Sequence, residues 1–235
     1  TEALGRDKVH GVSLPSKYSS DHSLEDAEDL TSTLGISYEV IPIQACVDEM
    51  EKTLKPCFSG HSSNVAEENI QSRIRGDILM ALSNKFGWMV LSTGNKTELA
   101  LGYCTLYGDM SGGLSVISDL SKTDVYKLAH WINSKYPGRI PIGSIKKSPS
   151  AELAPNQVDP FDYDIVSPLV DLIIEEGKTV IQLVNLGIDQ ELVNLVYQKI
   201  RISEYKRRQA APGLRVSTKA FGIGRRFPIV NHFKN

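Results

Sequence analysis

The chain has 235 residues, of which 41% are hydrophobic, 7% aromatic and 23% charged, and its formal net charge is −2. These values exclude collagen-like, disordered and disulfide-scaffold proteins, and they argue against a nucleic-acid binder that depends on a broad basic face. The three cysteines are widely spaced and form no CxxC pair, which favours reduced thiols in a reducing compartment. The five histidines show no zinc-binding spacing, which argues against a structural zinc site. No segment approaches the ~20 apolar residues of a membrane helix. We therefore expect a cytoplasmic protein that binds neither membrane nor nucleic acid.

Strand and helix patterns alternate through the first half of the chain. In chain order they predict strands over residues 9–14 and 38–43 and helices over residues 23–34, 45–54 and 67–86. Ser23 is the expected N-cap of the first helix, and Gly35 is expected to end it. The long third helix repeats an apolar residue every four positions, which gives it one apolar face.

The second half begins with Trp88-Met89-Val90-Leu91, an apolar run typical of a strand buried on both faces of a parallel sheet. Residues 136–168 are dense in proline and glycine and are expected to be mostly loop. A short strand is predicted over 113–117 and helices over 121–136, 169–176, 179–186 and 189–209. This alternation predicts one α/β domain over residues 1–235, with a doubly wound, mostly parallel sheet and a tail from about residue 210.

Ligands of such sheets bind beyond the carboxyl ends of the strands, and the most informative segment there follows residue 91. It reads Ser92-Thr93-Gly94-Asn95-Lys96-Thr97-Glu98. Its hydroxyls and free N–H groups suit a nucleotide, and the Glu98 carboxylate suits Mg²⁺. The same residues also suit a plain helix cap, with Thr93 as the capping residue, and the local sequence leaves both interpretations open.

Cationic residues supply further candidates. Asn69 and Arg73 share a face of the long helix, and arginines there suit a phosphate or carboxylate, although a solvated helix face explains them too. Lys122 opens a helix, where its charge opposes the helix dipole, which hints at a phosphate ligand. Residues 148–153 form a hydroxyl-bearing loop, whereas the cations at 206–208 are explained by a helix C-terminus.

Taken in order, six separated motifs resemble the NAD synthetase family, most closely the synthetase part of the glutamine-dependent bacterial type. The resemblance covers nearly the whole chain. The motifs are LPSKYSS at 14–20 with SLEDA at 23–27, ENIQSRIRG at 68–76, LSTGNKTE at 91–98, GYCTLYGD at 102–109, KSPSAEL at 147–153 and YKRRQ at 205–209.

The resemblance implies an adenine-nucleotide alpha-hydrolase-like fold of the N-type ATP pyrophosphatases. It also implies a reaction in which the nicotinate carboxylate of deamido-NAD attacks the α-phosphate of ATP, and ammonia then displaces AMP to give NAD. Charge moves on phosphate oxygens, so Mg²⁺ and fixed cations are expected to dominate catalysis. Partners implied by the family are a glutaminase domain of the same full-length chain, which supplies the ammonia, and further copies in a homo-oligomer.

Motif by motif, the resemblance assigns Thr93, Lys122 and Ser150 to ATP. It assigns Glu98 to Mg²⁺ or to deamido-NAD, and it makes Glu98 and Lys122 the catalytic residues. The residues expected to line the deamido-NAD site are Asn69, Arg73, Arg75, Glu98, Tyr103, Leu106, Asp109 and Lys206.

The resemblance also exposes a departure. The family carries an SGGxDS pyrophosphate loop after its first strand, whereas Thr1 to Leu4 here read as the end of a helix with Gly5 as its cap. We therefore expect an N-terminally truncated synthetase domain that is inactive, or nearly so, alone. Two alternatives stay open: another ATP pyrophosphatase such as a GMP synthetase, which would be expected to lack the Asn69 and Tyr103 motifs, and a non-catalytic fragment that binds adenine nucleotides.

Overall fold

A computed structural model describes residues 1–222 and 224–230; residue 223 and residues 231–235 of the predicted tail lie outside the described part. The chain divides into two compact units. The first comprises Thr1–Arg75 and Tyr126–Pro160, and the second comprises Gly76–Val125 and the described residues from Phe161 onward. Helices alternate with short strands that pair in parallel, which confirms the predicted α/β class.

The first unit is built around a parallel strand pair. Its elements are a 3₁₀ turn at Arg6–Lys8, β1 (His10–Ser13), α1 (Asp21–Leu34), β2 (Ser37–Val40), α2 (Gln44–Leu54), the first half of α3 (Val65–Phe86) and α6 (Ile142–Lys146). His10 lies opposite Ser37 in the strand pair. Just after β2, the Ile41 N–H donates to the carbonyl of Ser13, the last residue of β1, at 2.8 Å. Ile43 and Val47, which follow β2 in the chain, are buried. The predicted strand over 38–43 is therefore confirmed in place but is shorter.

The N-terminus of α1 corrects one prediction. Ser20, not Ser23, is the N-cap, since the Ser20 hydroxyl accepts the Ser23 backbone N–H at 3.2 Å. Both serines satisfy the local preference for a capping hydroxyl, and only the start of the helical backbone at Asp21 decides between them. The predicted end is confirmed, because Gly35 adopts φ 66°, a conformation that glycine enters at low cost.

Helices dominate the second unit. After the second half of α3 come β3 (Leu91–Ser92), α4 (Lys96–Leu101), β4 (Leu114–Ser115), the start of α5 (Lys122–Lys135), α7 (Tyr163–Ile174), α8 (Val180–Asn185), α9 (Gln190–Ile202) and α10 (Glu204–Arg207). Strands β3 and β4 pair in parallel, with Leu91 opposite Leu114. The core lies where α4, α7, α8 and α9 meet, and it includes Ala100, Leu169, Ile173, Leu183 and Val196. No helix among the described residues is both long and apolar enough to cross a bilayer.

The strand predicted over 88–91 is wrong in extent and in burial. Only Leu91 and Ser92 are in strand conformation, and Met89 and Leu91 are 67% and 50% exposed. A run of apolar residues favours burial, but the residues are buried only where another part of the fold packs against them. Among the described residues β3 pairs with β4 alone, so its apolar side chains stay exposed.

Two helix boundaries also differ from the pattern. Helix α7 begins at Tyr163, six residues before the predicted start, and it runs through Pro168. Pro168 removes one backbone hydrogen bond, but the buried side chains of Val166 and Val170 lie on either side of it, and their burial outweighs that loss. The helix predicted over 189–209 is interrupted at Ser203, which separates α9 from α10.

Arg207 is a buried cation that links the C-terminal ends of two helices in the second unit. Its guanidinium donates to the carbonyls of Leu99 at 2.9 Å and Ala100 at 3.2 Å, near the end of α4, and also to the carbonyl of Ile200 in α9. It pairs with the Glu204 carboxylate at 3.1 Å. Arg207 thus satisfies carbonyls that two helix ends leave without intrahelical partners.

We expect Arg207→Met to lower the free energy of unfolding by about 3–5 kcal/mol, because Glu204 loses a buried partner. The Glu204 side chain is only 2% exposed, so water cannot replace the guanidinium. Arg208 contacts the same carboxylate at 2.7 Å from a partly exposed position, which makes Arg208→Met the matched control, with a loss below about 1 kcal/mol. Urea unfolding followed by circular dichroism measures both, and equal losses would contradict the role given to Arg207.

Candidate functional site

The segment between β3 and α4 is closed by a reciprocal cap. The Asn95 side-chain oxygen accepts the Glu98 backbone N–H at 3.1 Å, and a Glu98 carboxylate oxygen accepts the Asn95 N–H at 3.0 Å. Asn95 is therefore the cap of α4, and the alternative that placed Thr93 there is wrong. Thr93 is exposed just beyond β3, a position that leaves its hydroxyl accessible to a ligand.

Glu98 and Lys122, the two predicted catalytic residues, form an ion pair. The Lys122 ammonium lies 3.0 Å from Oε1 of Glu98, and the Lys122 backbone N–H donates to the Thr97 hydroxyl at 3.1 Å. The ammonium also lies 5.2 Å from the ring centroid of Tyr163. Both side chains of the pair are about one-fifth exposed, so the charges are held in place and remain within reach of a ligand.

Lys96, in the same segment, is a buried charge that sequence reasoning missed. Its side chain is 1% exposed, and its ammonium contacts Asp171 at 3.0 Å and Glu175 at 2.6 Å. Burial acts to lower the pKa of Lys96, but hydrogen bonds to Glu175 and Asp171 outweigh it and raise the pKa above its usual range. The carboxylates lie four residues apart, one in the last turn of α7 and the other at its C-cap, and that spacing is the signal that could have indicated a shared cation.

The turn at 102–109 contains or contacts four of the five predicted deamido-NAD residues of the second unit, all except Glu98. Lys206 donates to the carbonyls of Gly102 at 2.8 Å and Cys104 at 2.6 Å. Asp109 accepts the Thr105 N–H at 2.6 Å, and the Tyr103 ring packs edge-on against Phe161 with centroids 5.6 Å apart. Leu106 lies in the same turn and is partly buried. Lys206 therefore holds the turn from the outside, since two of its three N–H groups point at backbone carbonyls.

Cys104 lies within this turn. Burial, with the charge of Asp109 adding to it, raises the pKa of its thiol to about 12. The thiol is protonated at neutral pH and reacts slowly, because the thiolate is the reactive form.

The remaining predicted residues belong to the first unit. Arg75 donates to the Leu14 carbonyl at 2.8 Å, directly beyond the carboxyl end of β1, and burial lowers the pKa of its guanidinium. Arg73 is exposed, whereas Asn69 and Arg75 are partly buried, so the two arginines differ in their access to solvent.

Ser150 is held by the loop that carries it. Its hydroxyl donates to the Gln157 carbonyl at 2.5 Å and accepts the Glu152 N–H at 3.1 Å. The loop is fixed further where the Gln71 side chain donates to the Leu153 carbonyl at 2.8 Å. Because the one hydroxyl proton is already given to Gln157, Ser150 has acceptor capacity left but no free donor.

Glu152 is the centre of a polar cluster that sequence reasoning also missed. Its Oε1 accepts the hydroxyls of Ser20 at 2.8 Å and Ser23 at 3.1 Å, and it contacts the Lys147 ammonium. Burial acts to raise the pKa of Glu152, but the hydrogen bonds from Lys147 and the serines lower it below its usual range. The cluster ties the loop to the N-terminus of α1. Glu152 adopts φ 50°, which is unusual for a residue other than glycine and indicates that its position is enforced.

The Glu152 cluster predicts a pH-dependent contribution to stability. A carboxylate whose pKa is lowered on folding stabilises the protein above its ordinary pKa of 4.5, and this stabilisation is lost as the pH falls through the lower, folded value. We expect Glu152→Gln to cost about 1–3 kcal/mol at pH 7 and progressively less below pH 4.5.

Chemical denaturation of both proteins between pH 3 and pH 7 checks this. The matched control is Glu49→Gln, because Glu49 pairs with Lys52 at 3.1 Å on an exposed helix face. A cost for Glu152→Gln that does not change with pH would show that the carboxylate charge is unimportant.

The chain is similar to known proteins over nearly its whole length. A family model described as NAD synthase matches residues 1–210. The chain is 47% identical over 235 residues to a glutamine-dependent NAD(+) synthetase of Synechocystis sp. (strain ATCC 27184 / PCC 6803 / Kazusa), covering 99% of this chain and 42% of that protein. It is 49% identical over 239 residues to the protein of the same name in Thermotoga maritima, with 100% and 41% covered.

A solved structure is also similar. The chain is 40% identical to the glutamine-dependent NAD+ synthetase of Acinetobacter baumannii, whose structure was solved in complex with ADP, and the TM-score is 0.62. The match covers 98% of this chain and 42% of the other. The chain thus spans about two-fifths of the length of the relatives it matches. The likeness supports the adenine-nucleotide alpha-hydrolase-like fold expected from the motifs.

Proposed function

The chain belongs to the NAD synthase family, and from this premise we propose that it performs the ATP-dependent amidation of deamido-NAD to NAD. The observation that carries the proposal is the Glu98–Lys122 pair, which lies within the family-matched residues and at the start of two helices. The relatives are named as glutamine-dependent, which supports ammonia from glutamine as the second substrate and a glutaminase domain as the partner. We extend the proposal to a homo-oligomer in the cytoplasm.

The chemistry calls for cations close to phosphate. Attack of the nicotinate carboxylate on the α-phosphate concentrates negative charge on the phosphate oxygens and the departing pyrophosphate. A fixed ammonium stabilises such charge without reorganising, because its position is set before the reaction begins. Lys122 is suited to this role, since its backbone is bonded to Thr97 and its ammonium is oriented by Glu98.

Ligand roles are proposed for the remaining motif residues. The complex of the Acinetobacter baumannii protein with ADP supports nucleotide binding by this fold. Thr93, Lys122 and Ser150 are proposed to contact ATP. The residues proposed for deamido-NAD are Asn69, Arg73, Arg75, Glu98, Tyr103, Leu106, Asp109 and Lys206.

Glu98 fits a magnesium ion as a single protein ligand. Its Oε1 already faces a cation, the Lys122 ammonium, and carboxylate oxygens are the ligands that Mg²⁺ prefers. Among the described residues no group of three or more acidic, histidine or cysteine side chains converges on such an ion. The remaining ligands would therefore be waters and nucleotide phosphates, as is usual for Mg²⁺. When bound there, the ion would neutralise phosphate charge.

The proposal is tested with ATP, deamido-NAD and ammonia supplied to the chain and to the full-length protein that carries it. In the full-length protein we expect NAD, AMP and pyrophosphate in equal amounts, and only when all three substrates are present, whereas the chain alone is expected to form little or no NAD. Pyrophosphate release that depends on a purine nucleotide acceptor in place of deamido-NAD would instead indicate a GMP synthetase-like enzyme. Calorimetric binding of adenine nucleotides with no affinity for deamido-NAD would indicate a non-catalytic module.

Glu98→Gln in the full-length protein separates the charge of this side chain from its structural role. Glutamine can still accept the Asn95 N–H and complete the helix cap, but it lacks the negative charge that attracts a cation strongly. We expect turnover at limiting Mg²⁺ to fall roughly 10- to 100-fold, with partial recovery at saturating Mg²⁺. Steady-state kinetics over a magnesium titration measure this, with Lys135→Met as an exposed control on α5. Unchanged turnover at limiting Mg²⁺ would refute the role given to Glu98.

A further inference from the structure

The tail contains a segment, residues 212–218, that we call the C-terminal strap. It lies beyond residues 1–210, the part matched by the family model, so the family match gives it no role. The strap adds to the edge of β4, since the Ser115 N–H donates to the Pro212 carbonyl at 2.9 Å and Ser115 forms a parallel bridge with Gly213. Beyond this bridge the strap carries hydrogen-bond donors toward two carboxylates.

The first carboxylate is that of Asp119, three residues before Lys122. It is 4% exposed. One oxygen accepts the backbone N–H groups of Val216 and Ser217, each at 2.7 Å, and the other accepts the Ser217 hydroxyl at 2.8 Å. The strap therefore supplies three donors to a charge that water cannot reach. The next residue, Leu120, accepts the Lys96 N–H at 2.8 Å, so the same turn also contacts the start of α4.

The second carboxylate is that of Glu175, the C-cap residue of α7. One of its oxygens accepts the Thr218 hydroxyl at 2.7 Å and the Thr218 N–H at 3.3 Å. The other oxygen accepts the Lys96 ammonium at 2.6 Å. Lys96 is the first residue of α4 and lies two residues before Glu98. The strap is thus linked through Glu175 to the segment that carries one half of the site pair.

We propose that the C-terminal strap positions the Glu98–Lys122 pair, with Asp119 and Glu175 as positioning residues. Lys122 follows the turn held by Asp119, and Glu98 follows the lysine held by Glu175, so both halves of the pair are anchored to one short segment. A buried carboxylate deprived of its donors draws in water or turns toward other partners, which moves the backbone that carries it. The effect on turnover rests on the proposed function, whereas the effect on backbone order does not.

The first test compares the double variant Ser217→Ala with Thr218→Val against Val216→Ala in the full-length protein. The double variant removes both strap hydroxyls, whereas the Val216 side chain is 65% exposed and its backbone N–H is retained. We expect the double variant to lose roughly 10- to 100-fold in kcat/KM for ATP, because small displacements of a catalytic group have effects of this size. We also expect faster hydrogen exchange of the amides at 119–122, with the control unchanged in both measurements.

A merely structural strap would lower the melting temperature while leaving both kcat/KM at a temperature well below melting and the exchange at 119–122 unchanged. That result would overturn the proposal. If the unmodified protein forms no NAD, the proposed function fails, and the exchange comparison still decides whether the strap orders these residues.

The second test uses Asp119→Asn and Asp119→Ala. Asparagine can accept both strap N–H groups through its oxygen and donate to the Ser217 hydroxyl, so it can keep all three hydrogen bonds. We expect Asp119→Asn to retain most of the activity and the slow exchange that Asp119→Ala loses. Equal loss of activity in the two variants, with exchange at 119–122 slow in Asp119→Asn, would show that Asp119 acts through its charge on a ligand and would overturn the proposal.

Discussion

The second unit depends on how a few buried charges find partners. Lys96, the first residue of α4, is buried, and it can stay ionised there because the C-terminal end of α7 and its C-cap present Asp171 and Glu175 to it. Desolvating an ammonium and two carboxylates is costly unless each is hydrogen-bonded, so the geometry of this triad is narrowly defined. Because Lys96 is the first residue of α4, its contacts with Asp171 and Glu175 fix the start of the helix and therefore the position of Glu98 two residues later.

The same principle recurs at the other end of α4. Arg207 closes the helix by donating to its last carbonyls, and its own charge is balanced by Glu204. A six-residue helix is too short to be stable by itself, since nucleation costs more than so few backbone bonds return. The buried charges at its two ends therefore substitute for length, and they make the helix a rigid carrier of the carboxylate on its exposed side.

The sequence was sufficient for features that are local. Gly35 and Thr179 mark helix boundaries where the pattern places them, because a capping residue acts within one turn of its own position. The motif residues of the candidate site were found by their order along the chain, and Glu98 and Lys122 come together although they are 24 residues apart. That pairing was not visible in either motif alone.

Other features depend on partners that no local pattern reveals. Lys96 contacts Glu175 across 79 residues, and a lysine in a loop motif is ordinarily solvated, so the motif that contains Lys96 did not indicate its burial. Ser20 and Asn95 replaced Ser23 and Thr93 as caps because neighbouring residues were equally suited and the backbone chose between them. The apolar run that begins at Trp88 was predicted to be buried, but Met89 and Leu91 are exposed. Apolar composition favours burial, whereas the packing of distant elements determines whether it occurs.

The hydroxyl of Ser150 has a thermodynamic consequence for any anion that the loop binds. One proton cannot serve the Gln157 carbonyl and a phosphate oxygen together, so the ligand competes with the loop's own hydrogen bond. The apparent dissociation constant is then the intrinsic one divided by the fraction of molecules in which that bond is open. Selectivity follows from the same competition, because a weak acceptor cannot displace the carbonyl, whereas a charged phosphate oxygen, as the stronger acceptor, can.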